Sequence, residues 1–350
     1  MIEFATVTRE FRSLIRRRQH LMTFLGSLFA ATGLFLHNVL KGDIPRDLEN
    51  IKEYVFAFYA VMVLVPTSLL ALRLARLHGG LVINGVFYAQ LMQGQDFTRK
   101  PDVNRAARHN PLGVSFLQFL LTALLAGFAG VILGLGLDLP LWAAVGLGGA
   151  VLAALLLLYF RYHRQAVALA FKKIAEDTCG PVERKEWRDH VSNSLEDANQ
   201  GLLHELSFVG LIMFSMFEKI AGLKKISRDF AGPAYDDILF YGPWVYSLLM
   251  MVTCLFGLLV YLRIRVAIGT LSLQLDPNDR PFRPLRMTDS LLGYLLLAFL
   301  FAVSLHMVLI VLVPQLHQQR VLLVAIDAAA LGLAVLAEQL TLVVAGRKNS

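Results

Sequence analysis

Long runs of apolar residues separated by short polar segments dominate the pattern of this chain. A helix that crosses the roughly 30 Å hydrocarbon core of a bilayer needs about 20 mostly apolar residues. The fifth run is the weakest, because its uninterrupted part extends only from Leu206 to Phe217 and is bounded by Glu205 and Glu218. The runs predict eight transmembrane helices, near residues 20–40, 54–75, 113–136, 141–161, 203–222, 240–262, 290–314 and 321–345.

Short polar motifs recur between the two halves of the chain at a nearly constant offset. The segment Arg9–Arg12 returns as Lys185–Arg188, and Ile44–Leu48 returns as Ile226–Phe230. Repetition at so long a period indicates that a unit was duplicated, and an even number of spans per unit makes the copies parallel rather than inverted. The prediction is an all-α polytopic membrane protein made of two parallel four-helix repeats. The repeats cover residues 1–175 and 176–350.

The positive charges follow the predicted spans and explain the net charge of +7. Of the 33 Lys and Arg residues, 25 lie in the N-terminal segment, in alternate loops and in the C-terminal tail, and 8 lie in the other loops. The positive-inside rule then predicts a multi-pass protein of the cell inner membrane with both termini in the cytoplasm. Basic loops are attracted to anionic lipid headgroups, so a lipid bilayer with anionic headgroups is the expected partner. A homo-oligomer or a membrane partner subunit is also expected, and nucleic acid is not.

The sequence also predicts features that lie beside the spans or determine how they pack. Residues 3–18 place apolar side chains at helical spacing opposite four arginines, which predicts an amphipathic helix at the inner membrane surface. The apolar stretch from Gly79 to Gln93 and its copy at 265–275 either extend the second span of each half or lie in the interface. Small residues four apart predict that the third and fourth spans form a tight antiparallel hairpin. They are Ala126, Gly130 and Gly134 on the third span and Gly146, Ala150 and Ala154 on the fourth.

No familiar catalytic or cofactor motif occurs in the chain. It has no glycine-rich phosphate-binding loop ending in Lys-Ser/Thr, no Cys-x-x-Cys, no His-Glu-x-x-His and no Gly-x-Ser-x-Gly. Cys179 lies in a polar loop and Cys254 in an apolar run, so neither a structural disulfide nor a metal site is expected. No cofactor is expected, and no residue is assigned a catalytic role.

Ionisable residues inside the predicted spans are the remaining clue to chemistry, since charges are costly there and are often functional. His306 in the seventh span and Asp327 in the eighth lie roughly 12 and 9 Å below the outer surface. Glu338 follows Asp327 by about three turns, on the same helix face. In one hypothesis the three residues form a proton or cation site in which His306 titrates. In the other, His306 and Asp327 are a structural pair between helices.

Two further sets of polar residues are secondary candidates. Glu205 and Glu218 lie near the two ends of the fifth span, where hydration or pairing with His204 or Lys219 favours a structural role. The Arg-Asp pairs of the two longest outer loops suit helix capping better than ligand binding. These pairs are Arg46 with Asp47 and Arg228 with Asp229.

Three functions are compatible with this architecture. A transporter or channel-type protein for an ion or small solute is the leading hypothesis, because the chain is duplicated, has little mass outside the membrane and carries ionisable groups in its spans. A non-catalytic structural or regulatory membrane subunit, or an oligomerising effector, is the alternative suggested by the long basic loops. A membrane enzyme acting on a lipid-linked substrate is the third, although the cluster of His, Asp or Arg that it needs is not evident.

Overall fold

The computed structural model is all-helical over the residues that it describes, which are 2–40, 52–92, 113–137, 139–176, 180–223, 235–272, 287–312 and 320–347. These ranges contain eight helices, which we number in chain order. They are α1 (Phe4–Leu40), α2 (Lys52–Met92), α3 (Val114–Gly136), α4 (Leu141–Glu176), α5 (Arg184–Leu223), α6 (Tyr235–Ser272), α7 (Met287–Leu312) and α8 (Arg320–Arg347).

Several of these helices are suited to a bilayer. Within the described ranges, the six helices from α2 to α7 are long and apolar enough to cross a membrane, which indicates a membrane protein. The six include α5, whose span was the weakest prediction. In α1 and α8 the described side chains do not form an unbroken apolar stretch of this length; in α8 they give a shorter apolar part, Val324–Ala337. Eight spans therefore remain a prediction.

The amphipathic segment predicted at residues 3–18 is helical, but it is not a separate helix. Those residues are the first half of α1, which continues unbroken to Leu40. Nothing between Arg9 and His20 breaks a helix, since no Gly or Pro occurs there. Phe4 and Val7 are 2% and 4% exposed, so the start of this segment's apolar face packs within the protein.

The apolar stretch beginning at Gly79 extends the second span, because α2 continues to Met92 as one helix. In the second half, α6 likewise continues to Ser272. Of the two alternatives for these stretches, extension of the second span therefore holds for both halves.

The two halves of the chain have the same pattern of neighbouring helices. In the first half α2, α3 and α4 pack against one another, and α1 packs on α2. In the second half α6, α7 and α8 pack against one another, and α5 packs on α6. Duplication requires this order of neighbours, although the superposition of the two halves stays a prediction.

The halves meet mainly along α1 and α5, with a smaller contact between α3 and α6. Near the start of α1, Arg12 contacts Asp197, and further along, Gly33 lies against Ser215. Because the contacts advance together along both helices, α1 and α5 run in the same direction. This parallel course is what a parallel pair of repeats needs.

The α3 and α4 hairpin is antiparallel as predicted, but α4 uses a different face. A Cβ atom added at Gly134 would lie 2.7 Å from Ala144 Cα, and one added at Gly130 would lie 3.2 Å from Gly148 Cα. The predicted α4 stripe points elsewhere, since Gly146 has nothing within 4 Å of an added Cβ. Helix α4 has small residues on both sides, and positions two apart lie on nearly opposite faces, so spacing alone could not select the contacting side.

Candidate functional site between helices α1 and α5

One face of α5 carries three buried ionisable side chains. Asp197 and Glu205 are each 2% exposed, and Lys219 is 1% exposed. Asp197 and Lys219 are about 33 Å apart along the helix, close to the roughly 30 Å thickness of a hydrocarbon core. Intervals of three and four residues keep side chains on one side of a helix. The buried residues at these intervals, which we call the α5 stripe, are Asp197, Gly201, Glu205, Phe208, Ile212, Ser215 and Lys219.

Small residues of α1 let it approach the α5 stripe closely. A Cβ atom added at Gly26 would lie 3.2 Å from the Leu211 side chain, and one added at Gly33 would lie 3.0 Å from the Ser215 carbonyl oxygen. Glycine plays this role in many membrane helix pairs, because it lets the backbones come together. Ser215 Oγ also donates a hydrogen bond to the carbonyl oxygen of Phe29 on α1.

Asp197 organises a hydrogen-bonded cluster at the N-terminal end of the stripe. Arg12 Nε donates to Asp197 Oδ2 over 2.8 Å. Arg16 donates to Oδ1 from Nε over 3.1 Å and from a terminal nitrogen over 3.0 Å. Gln19 Nε2 donates to the Asp197 carbonyl oxygen over 3.1 Å. Two guanidinium groups therefore compensate the buried carboxylate and hold α1 in register with α5.

Glu205 connects three helices further along the stripe. Gln118 Nε2 of α3 donates to Glu205 Oε2 over 2.9 Å, and Arg18 of α1 is close enough to act on the carboxylate electrostatically. Next to Glu205, His204 Nδ1 lies 3.1 Å from Thr23 Oγ1. A buried carboxylate with one amide donor and one cationic neighbour is chemically able to accept and return a proton.

Lys219 lies at the other end of the stripe, beside a small cavity. Its Nζ is 4.8 Å from the centroid of the Phe29 ring, a distance at which an ammonium group is attracted by the ring face. The cavity has a volume of about 10 Å³, which is room for about one water molecule. Five helices line it, with Phe29 of α1, Val63 of α2, Ala129 of α3 and Tyr246 of α6 facing Lys219 of α5.

Apolar side chains close the stripe between Glu205 and Lys219. Phe208 and Ile212 are both 0% exposed, and Phe208 packs beside Gly26 of α1. The arrangement therefore consists of polar groups at both ends of an interface that is sealed in its middle.

The residues singled out from the sequence fall in different places. Glu205 lies in this site, where its partners are Gln118 and Arg18 rather than His204 or Lys219. Glu218 is half-buried on α5, and His306 is half-buried on α7. For the remaining candidates, either the whole residue or its side chain lies outside the part of the chain that the structure describes. Their pairing and roles therefore stay predictions. These are Asp327 and Glu338 on α8, and Arg46, Asp47, Arg228 and Asp229 in the loops.

Three residues of the site were missed from the sequence. Asp197 precedes the predicted fifth span, Lys219 resembles an end-of-span charge, and Gln118 is neutral. Asp197 and Lys219 share one signal, the regular interval of three and four residues along the α5 stripe, which places both on the same face as Glu205. The interval is visible in the sequence once the polar and apolar positions of α5 are considered together.

A second polar cluster, also missed, lies where α2, α3 and α4 meet. His78 is 1% exposed, its Nδ1 lies 3.0 Å from Ser115 Oγ, and its Nε2 lies 3.1 Å from His163 Nδ1. The ring stacks on Tyr159 with centroids 4.6 Å apart. Within the described ranges, no three or more His, Cys, Asp or Glu side chains are grouped so as to hold a metal ion.

Comparisons with family models, with curated proteins and with solved structures give no match to this chain.

Proposed function

We propose that this protein is an integral membrane transport protein that moves a proton or another small ion along the contact between α1 and α5. The observation that carries the proposal is the α5 stripe, on which Asp197, Glu205 and Lys219 are all at most 2% exposed. Ionisable groups are expensive inside a bilayer and typically mark ion paths or proton relays. Their spacing over about the thickness of a hydrocarbon core supports a path rather than a single structural pair.

Each residue has a distinct role in this proposal. Glu205 takes up and returns the ion or proton, and Gln118 positions its carboxylate through the 2.9 Å hydrogen bond. Lys219 provides the charged group at the far end, next to the cavity. Phe208 and Ile212 form the barrier between them, so transport requires α1 and α5 to separate or rotate at this level.

The proposal also specifies the membrane and the orientation of the chain in it. Both termini lie in the cytoplasm of the cell inner membrane, where the basic loops meet anionic headgroups. The two four-helix halves are parallel repeats, a proposal that the parallel course of α1 and α5 supports. His306 with Asp327 and Glu338 would form a second polar site in the second half.

A regulatory membrane subunit is the second candidate, and one observation favours it. Helix α5 has 40 residues and is about 60 Å long, which is twice the thickness of the hydrocarbon core. The N-terminal parts of α1 and α5 therefore project together beyond the bilayer, where a cytoplasmic partner could bind.

Flux measurements in proteoliposomes test the proposal. Purified protein is reconstituted, and internal pH and ion content are followed after a pH step, an ion gradient or an imposed potential. We expect Glu205→Gln and Lys219→Met each to lower the flux by about tenfold or more, because the buried charge is removed from the path. Glu196→Gln and Lys172→Met are matched controls, since both residues are exposed on helices of the same bundle.

Folding is checked for every variant by size-exclusion profile and thermal stability in detergent. Wild-type protein that carries no proton or ion flux, or folded Glu205→Gln and Lys219→Met variants with undiminished flux, would contradict transport along this interface. Capture of a stoichiometric membrane or cytoplasmic partner by a flux-free protein would favour the regulatory subunit.

A further inference from the structure

A groove of about 590 Å³ lies between the N-terminal parts of α1 and α5. Its volume falls within the range of about 300 to 1,000 Å³ that is common for small-molecule sites. The groove is distinct from the sealed middle of the α5 stripe. It lies where α1 and α5 extend past the predicted inner ends of the first and fifth spans, on the side that the positive-inside rule assigns to the cytoplasm.

The α1 wall of the groove is cationic and partly fixed in position. Arg9, Arg12, Arg16 and Arg17 line it. Asp197 binds Arg12 through Nε alone and Arg16 through Nε and one terminal nitrogen. Among the described residues, the other terminal nitrogens of Arg12 and Arg16 have no hydrogen-bond partner. Guanidinium groups held in this way match the two-point geometry of a phosphate.

The α5 wall is acidic. Glu186 is half-buried and Asp189 is exposed, and both line the groove opposite the arginines. Across the described part of the chain, neither carboxylate forms an ion pair with an arginine of α1. Burial, and then the charge of Arg12, lower the pKa of the neighbouring His190 to about 4, so that ring is neutral near pH 7 and leaves the two carboxylates as the charges of this wall.

We propose that the groove binds a molecule carrying both a phosphate and a primary amine, that is, a phosphoethanolamine group. The arginines of α1 bind the phosphate, and Glu186 and Asp189 bind the ammonium group. The group can belong to an aminophospholipid headgroup or to a soluble phosphoethanolamine, which present the same chemistry. This ligand site is additional to the transport path.

Thermal-shift titrations of the full chain in detergent test the proposal. The probes are short-chain phospholipids with identical acyl chains and ethanolamine, choline or glycerol headgroups, together with free phosphoethanolamine and inorganic phosphate. We expect the ethanolamine lipid to bind most tightly. Choline cannot donate hydrogen bonds to the carboxylates, and glycerol has no cation for them.

Two double variants separate the walls of the groove. Arg9→Gln with Arg17→Gln, which leaves both contacts to Asp197 intact, should weaken binding of the ethanolamine and glycerol lipids alike by about fivefold to tenfold. Glu186→Gln with Asp189→Asn should remove the preference for ethanolamine over glycerol. Arg184→Gln with Glu183→Gln is the control, since both residues are exposed on or next to α5 and do not line the groove.

The probes also distinguish the source of the ligand. If free phosphoethanolamine displaces the ethanolamine lipid at a similar concentration, the natural ligand is soluble. If only the lipid binds, the natural ligand is a membrane lipid. Both results agree with the proposal. Equal or tighter binding of the glycerol lipid to the wild-type protein overturns it. So does ethanolamine binding that neither double variant changes.

Discussion

Gln118 of α3 donates a 2.9 Å hydrogen bond to Glu205 of α5, and this bond joins the first half of the chain to the second through a buried carboxylate. Gln118 is 5% exposed and Glu205 is 2% exposed. Arg18 of α1 acts on the same carboxylate, so two helices of one half enclose a charged group supplied by the other. The proposed ion path therefore depends on how the two halves are held together.

Replacing Gln118 with Leu should destabilise the protein by roughly 1 to 2 kcal/mol, because the Glu205 carboxylate loses its amide donor in a place where water cannot replace it. Gln200→Leu is the control, since Gln200 is exposed on α5. Unfolding in detergent, followed by circular dichroism, measures both variants. Equal effects of the two substitutions would show that the bond contributes nothing specific.

Replacing Asp197 with Ala should destabilise the protein by roughly 1 to 3 kcal/mol, because it breaks contacts to Arg12 and Arg16. The cost stays below that of a fully buried pair, since Arg12 is 25% exposed and Arg16 is 52% exposed and both can be hydrated. Unfolding midpoints measured at low and high salt should show a smaller difference from wild type at high salt. Glu196→Ala, at an exposed neighbouring position, should lack both the loss and the salt dependence.

The sequence predicted the helices far better than their contacts. Apolar runs and the absence of helix breakers are local properties, so the all-helical fold followed from them. The site depended on which helix faces meet, and the Asp197 to Lys219 stripe meets α1 from the other half of the chain. His306 and Asp327 were chosen as candidates because they are ionisable residues inside clear hydrophobic spans. Lys219 is 1% exposed, but it stands near a span boundary where lysines are common.

The hairpin of α3 and α4 is a second case in which the sequence predicted the helices but not the contacting face, and this face can be tested directly. Gly148→Ala would bring a methyl group against the Gly127 carbonyl oxygen and to 2.5 Å from Val131 Cγ2, and we expect it to cost about 1 to 3 kcal/mol of stability. Gly149→Ala, one position along, has nothing within 4 Å of the added methyl group and should stabilise the helix by about 0.5 to 1 kcal/mol. Detergent unfolding curves of the two variants should shift in opposite directions. A larger loss for Gly149→Ala would mean that α4 presents its other face to α3.

The orientation of the chain can be tested by labelling. Single cysteines are placed in a background without Cys179 and Cys254, and intact cells are treated with a membrane-impermeant thiol reagent. The positive-inside rule predicts labelling at Asn50 and Tyr235 but not at Asn104 or Asn278; the loop positions among these lie outside the described residues. Protection of the cysteine at 235 would show that α5 does not cross the membrane.

The parallel contact between α1 and α5 predicts a specific disulfide. A Cβ atom at position 26 would lie 3.2 Å from Leu211 Cβ, near the distance of about 3.5 to 4.5 Å found in disulfides. In the same cysteine-free background, Gly26→Cys with Leu211→Cys should therefore cross-link under mild oxidation. Gly26→Cys with Gly210→Cys should not, because position 210 has nothing within 4 Å of its added Cβ and faces away. After cleavage at a protease site introduced between residues 176 and 184, the first pair should run as one band on non-reducing gels and the second as two. Cross-linking of both pairs at equal rates would mean that α1 and α5 do not hold a fixed register, and a path built on the α5 stripe would then have no structural basis.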